Sequence, residues 1–83
     1  MDENTVEVSA WSGYRDEERP QAFTLNGKRV EVLKVLEQWI EEDAATKVRK
    51  RCFLVKGDDF RTHILRCLEV DGVWLHEGEK ENG

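Results

Sequence analysis

Cys52, His63, Cys67 and His76 are the side chains of this sequence best able to ligate a metal ion or carry nucleophilic chemistry. A structural zinc site needs four such groups converging, and sequences announce it with pairs such as Cys-x-x-Cys or His-x-x-x-His. Neither pair is present. The turns on either side set Cys52 opposite His63 and Cys67 opposite His76. Residues four apart on a strand, such as His63 and Cys67, are then roughly 13 Å apart. One tetrahedral ion holds its ligands within about 4 Å of each other. The expectation is therefore no metal, with two partly buried thiols and two ordinary surface histidines. Asp58 and Asp59 are adjacent in a turn, where aspartate is favoured for its local hydrogen bonds and usually points to solvent. Glu41-Glu42-Asp43 reads as a solvated charge run. No Ser-His-Asp order, phosphate-cradling glycine loop or Walker-type stretch is present. The chain reads as a non-catalytic module with no cofactor.

A second constellation is basic. Lys47-x-Arg49-Lys50-Arg51, with Arg61 and Arg66 further on, could line one face of a sheet beside aromatic side chains. Small barrels that bind single strands are built that way. The candidate nucleic-acid contacts are Arg49, Lys50, Arg51, Arg61 and Arg66. Against this, 18 acidic residues face 13 basic ones, for a net charge of -5. Such a surface repels phosphates at long range, and long cationic stems commonly just cover an outer sheet face. The reading favours a protein partner, with nucleic acid as the alternative. Trp11, Trp39 and Trp74 are expected to supply core area, and any that is exposed becomes a candidate partner contact.

These groups must be positioned by a small scaffold. With 83 residues the chain makes one domain, 1–83, with an ordered core over about 5–77 and a solvated tail at 78–83 expected to be mobile. A chain this short buries only roughly 60–65% of its unfolded surface, so each large apolar side chain counts. The apolar runs are too short and too interrupted to span a membrane. The first residues, Met1-Asp2-Glu3-Asn4, are acidic and polar, unlike a secretion signal. A cytoplasmic location with reduced thiols is the expectation.

The strongest structural signal is Phe23-Thr24-Leu25-Asn26-Gly27-Lys28-Arg29-Val30. Asn-Gly between two pairing runs predicts a type I′ hairpin, with Leu25 opposite Lys28 and Phe23 opposite Val30. Before it, Thr5–Trp11 alternates with Val6, Val8 and Ala10 on one face, which predicts a half-buried strand. The run from Tyr14 reads as a loop, and Pro20 opens the next strand. Residues 33–42 are ambiguous. Leu33, Leu36, Trp39 and Ile40 fit helical spacing, yet no N-cap precedes them and they follow directly from a strand. Either the third strand continues with a bulge or it breaks into a short helix, and the local pattern leans to the helix. Arg49–Lys56 is a strand with Arg51, Phe53 and Val55 on one face and Cys52 and Leu54 on the other. A type II′ turn at Gly57-Asp58-Asp59 would set Val55 opposite Phe60 and Phe53 opposite Thr62, making one apolar face of Phe53, Val55, Phe60 and Ile64. Asp71-Gly72 predicts a type I′ turn with Glu69 opposite Trp74. The sum is a mainly β protein. It predicts a small, strongly twisted antiparallel sheet curling into an open barrel, with at most one short helix near 33–42.

One resemblance rests on Pro20-x-x-Phe23, Asn26-Gly27-Lys28, Val32-x-x-Val35-Leu36-x-x-Trp39, Phe53-x-Val55 and Gly72-Val73-Trp74-Leu75-His76. From Pro20 to Glu77 this order resembles a small bacterial domain of unknown function often found beside Y-family translesion DNA polymerases. The resemblance implies a mainly β fold, a strand at the valine-leucine-tryptophan segment and a DNA-repair context. It supplies no catalytic residues. The chain departs from the family's pattern at Phe60, where the resemblance leads one to expect a glycine closing the acidic turn.

Overall fold

The computed structural model describes residues 5–11 and 19–77, the Trp11 side chain excepted. The expected tail at 78–83 and most of the loop from Tyr14 lie outside these residues. Six strands follow in chain order: β1 (Thr5–Trp11), β2 (Arg19–Leu25), β3 (Lys28–Glu42), β4 (Arg49–Gly57), β5 (Thr62–Leu68) and β6 (Trp74–Glu77). Each pairs antiparallel with its neighbour, and β1 pairs with β6 through Thr5 with Leu75 and Val6 with Trp74. The expected open barrel is therefore closed.

The Asn26-Gly27 hairpin forms in the expected register. Both turn residues have positive φ, 52° and 79°, and Phe23 faces Val30. Phe23 and Val30 open a core completed by Phe53, Val55, Leu65, Cys67 and Trp74. Val6, Val8 and Ala10 of β1 pack against it, as their alternation requires.

No helix forms among the described residues, which corrects the leaning for 33–42. β3 runs through as one strand, with bulges between Val32 and Lys34 and between Val35 and Glu37. Leu33 and Leu36 are the extra residues. Two bulges three residues apart put outward leucines at a spacing of three, which imitates one helix face.

The β4–β5 turn is also corrected. Gly57 N–H donates to Arg61 C=O, and Phe60 N–H donates to Gly57 C=O. This is a three-residue loop with Phe60 in the left-handed region at φ 66°. Val55 therefore faces His63 and Phe53 faces Leu65. The offset from the expected pairing is an odd number of residues, so every β5 side chain changes face. His63, Leu65 and Cys67 point inward, while Phe60 is 78% exposed.

The β5–β6 turn is longer than a two-residue type I′ turn. Leu68 N–H donates to Val73 C=O, Gly72 N–H donates to Leu68 C=O, and only Gly72 has positive φ. Cys67 faces Trp74 and Leu65 faces His76. This offset is even, so β6 keeps its expected faces relative to β5 and turns over with it, which brings His76 inward. The β3–β4 connection repeats the same loop. Asp43 N–H donates to Val48 C=O, Lys47 N–H donates to Asp43 C=O, and Lys47 takes the left-handed position at φ 65°.

Candidate functional site

The register of β5 and β6 brings two imidazoles together inside the barrel. His63 is 1% exposed and His76 8%. His63 Nδ1 lies 3.0 Å from His76 Nε2. The other ring nitrogen of His63 lies 3.0 Å from Asp59 Oδ2, reached from the β4–β5 loop. An ionised carboxylate only accepts, so His63 Nε2–H donates to Asp59. In neutral His63 the Nδ1 atom is then an acceptor, and His76 Nε2–H donates to it. Phe23 closes the pair from β2, its ring centroid 4.9 Å from that of His63 and 5.7 Å from that of His76. Two expectations are corrected here. The histidines are core groups, and Asp59 turns in from the loop while Asp58 ties the loop to β3. Asp58 exchanges backbone contact with Glu31, its N–H donating to Glu31 C=O at 2.9 Å.

Asp59 is tuned to remain charged. Partial burial pushes its carboxyl up, but the Arg61 N–H and the His63 ring donate to it and hold it below the usual range. Gly57 makes room for this contact. A Cβ there would sit 2.6 Å from Val30 Cγ1 and 2.8 Å from Asp59 Oδ1. The chain Asp59–His63–His76 has the order of a proton relay. Neither imidazole lines the cavity bounded by Arg19, Arg51 and Glu69 or the one bounded by Val8, Phe23 and Trp74. Among the described residues no three metal-ligating side chains converge. What the arrangement does is tie the β4–β5 loop to the core through satisfied polar groups.

The outer face of the same strands carries a second network. Trp39 Nε1–H donates to Glu41 at 3.0 Å, and Arg66 donates to Glu41 at 3.2 Å and to Glu77. The Trp39 indole and Arg66 lower the pKa of Glu41, against a smaller opposing effect of burial. Partial burial works against the charge of Arg66, yet Glu41 and Glu77 outweigh it and hold its pKa above the usual arginine value. Cys52 lies beneath this network, 0% exposed, and burial pushes its thiol up, away from reactivity. Cys67 points to the opposite face, and neither thiol is in a disulfide. Trp74 is a core residue at 8% exposure, as expected.

The five candidate nucleic-acid contacts are not gathered on one face. Arg51 pairs with Cys67 on the inner face, and Arg66 pairs with Cys52 on the outer face. Arg66 is held between two carboxylates. Lys50 stands opposite Glu41 and Arg49 opposite Glu42. Arg61 sits in the loop at the far end of β4.

Two further features stand out. From Val32 to Glu42, β3 pairs with β4, while its pairing with β2 covers only Lys28 to Glu31. Among the described residues no strand pairs with the other side of that stretch. Leu33 and Leu36 lie on it, 58% and 42% exposed. At the end of the barrel away from the histidines, a cavity of about 790 Å³ opens between Arg19, Gln38, Ile40, Arg51, Phe53 and Glu69.

No family model, no curated protein and no solved structure matches this chain. The likeness to the polymerase-associated domain thus rests on the residues quoted for it.

Proposed function

We propose that this chain is a non-catalytic protein-interaction module that adds an extended segment of a partner to β3. The single observation behind this reading is the stretch from Val32 to Glu42, paired on the β4 side alone among the described residues. A row of unpaired backbone groups is a template for another strand, and natural domains use it for peptide recognition. The bulge leucines add two apolar contacts at its side. Glu37, Glu41 and Glu42 lie on this stretch against one lysine, Lys34. A partner segment with alternating apolar residues and basic flanks complements them. A second copy of the chain would set acidic strand against acidic strand, which costs stability.

The test is selection from a displayed library of random ten-residue peptides against the purified chain. Selected peptides should be apolar and basic, and should protect β3 amides between Leu33 and Ile40 from hydrogen exchange. Leu33→Lys with Leu36→Lys should remove binding without unfolding the barrel. Peptides that protect another face, or none above background, would refute the reading.

A further inference from the structure

The hydrogen bonds of β4 fix which backbone groups of β3 a partner strand can reach. From Glu37 to Glu42, beyond the second bulge, the pairing with Leu54 to Arg49 runs without a shift. In an antiparallel ladder, pairs that exchange hydrogen bonds alternate with pairs that do not. Two bonds set the phase. Asp43 N–H donates to Val48 C=O, and Arg49 C=O accepts from Glu69 N–H on the far side of β4. Arg49 therefore bonds away from β3, and Glu42, its opposite residue, bonds away from β4. The same holds two and four residues back, for Ile40 opposite Arg51 and Gln38 opposite Phe53. Trp39 and Glu41 bond to β4 instead. Gln38, Ile40 and Glu42 thus turn N–H and C=O to the side on which no described strand pairs.

That phase also dictates which side chains meet, because residues directly opposite share a face. Ile40 is 49% exposed, so a partner residue opposite it meets apolar surface. Glu42 is exposed and stands opposite Arg49 on β4. A cation opposite Glu42 on its other side completes a row of alternating charge, which cross-strand pairing favours. Antiparallel addition is the more stable arrangement per residue. It runs the partner against β3, so the residue opposite Glu42 comes first and the residue opposite Ile40 two later.

We propose that the partner is an antiparallel segment of the pattern cation-x-apolar, bonded to Gln38, Ile40 and Glu42, and that Ile40 and Glu42 select it. This rests on the reading of β3 as a recognition edge and adds a register and a sequence to it.

The probe is the end-capped peptide Thr-Lys-Thr-Val-Thr-Val-Thr, titrated into the isotope-labelled full chain and followed by NMR. In the free chain the amides of Gln38, Ile40 and Glu42 should exchange at least about tenfold faster than those of Trp39 and Glu41, and the peptide should slow those three. Methylating the nitrogen of the first Val, opposite Ile40, should weaken binding about tenfold or more, because it removes a bond to β3. Methylating the Thr before it, whose N–H turns outward, should change binding by less than about threefold. Glu in place of the Lys should weaken binding about threefold or more, and Glu42→Lys should invert that preference. Ile40→Thr, at an exposed position, should weaken the parent peptide. If the outward methyl blocks binding as strongly as the inward one, or Glu42→Lys leaves the preference unchanged, the register and pattern fall while strand addition to β3 stands. A peptide that slows no β3 amide at about 1 mM overturns the proposal as well, and strand addition then rests on the library selection. Equal protection of all five amides in the free chain overturns both.

Discussion

Gly57→Ala is the substitution that bears most directly on the buried polar chain. Gly57 does not have positive φ, so alanine meets no backbone obstacle there and the effect is steric. The new methyl would stand 2.6 Å from Val30 Cγ1 and 2.8 Å from Asp59 Oδ1, where ordinary contact begins near 3.4 Å. Val30 is 6% exposed and has little freedom to move. Overpacking of this kind costs about 1–3 kcal/mol. Asp59 must also shift, and the His63 N–H then loses its acceptor in a site that water does not reach freely, costing about 1–3 kcal/mol more. Alanine recovers about 0.4–1 kcal/mol by restricting the unfolded chain. The net loss should be about 2–4 kcal/mol, a large share of the ~4–12 kcal/mol available to a domain of this length. Urea unfolding followed by tryptophan fluorescence measures it. The mechanism is separated from simple crowding by Asp59→Ala. In that background only the clash with Val30 remains, so Gly57→Ala should cost less by at least about 1 kcal/mol. A loss below about 1 kcal/mol, or additive effects in the double variant, would show that Gly57 does not make room for the Asp59–His63 contact.

The other predictions follow from single features. Lys47 and Gly72 occupy the same position of the same loop type, so Lys47→Gly should relieve about 1–2 kcal/mol of left-handed strain and return about 0.4–1 of it as chain entropy. The gain should raise the melting temperature by about 2–8 °C in a calorimetric scan, whereas Gly72→Ala should lower it. Replacing His63 or His76 alone by leucine should cost about 1–3 kcal/mol by stranding the other ring. Replacing both should cost less than the sum of the two, measured by urea unfolding. Asp59 and Glu41 are held below their usual pKa values, so their contribution is present above the unfolded carboxylate values near ~4 and is lost as pH falls through the folded values. Urea midpoints should be nearly equal at pH 7 and 5 and clearly lower at pH 3, and Asp59→Asn with Glu41→Gln should flatten that decline. Because the five basic candidates are spread over two faces, labelled single-stranded DNA should show no saturable binding at low salt, read by fluorescence anisotropy.

What the residues disclosed and what they concealed follows from how register is encoded. Asn26-Gly27 admits few turn geometries, so the first hairpin and its Phe23–Val30 pair could be read directly. Faces along β1 and β4 were equally legible, because alternation needs only the strand and not its partner. Gly57-Asp58-Asp59-Phe60 was deceptive. A glycine at its start suggests a two-residue turn, while the loop turns on the left-handed Phe60, a conformation in which a phenylalanine is uncommon. The resemblance leads one to expect glycine at that position, and glycine there would have announced the longer loop. That one misreading inverted β5, moved His63 to the surface and separated Asp59 from it. The buried pair could still have been suspected: His63, Leu65 and Cys67 alternate with Thr62, Ile64 and Arg66, and it is the second set that carries the arginine, which is seldom fully buried. The bulges of β3 were hidden differently. An inserted residue shifts the phase of an alternating pattern, and two insertions convert a period of two into the spacing of a helix. The same insertions turn Leu33 and Leu36 outward, so the feature that defeats pattern reading is the one that exposes the surface assigned to a partner.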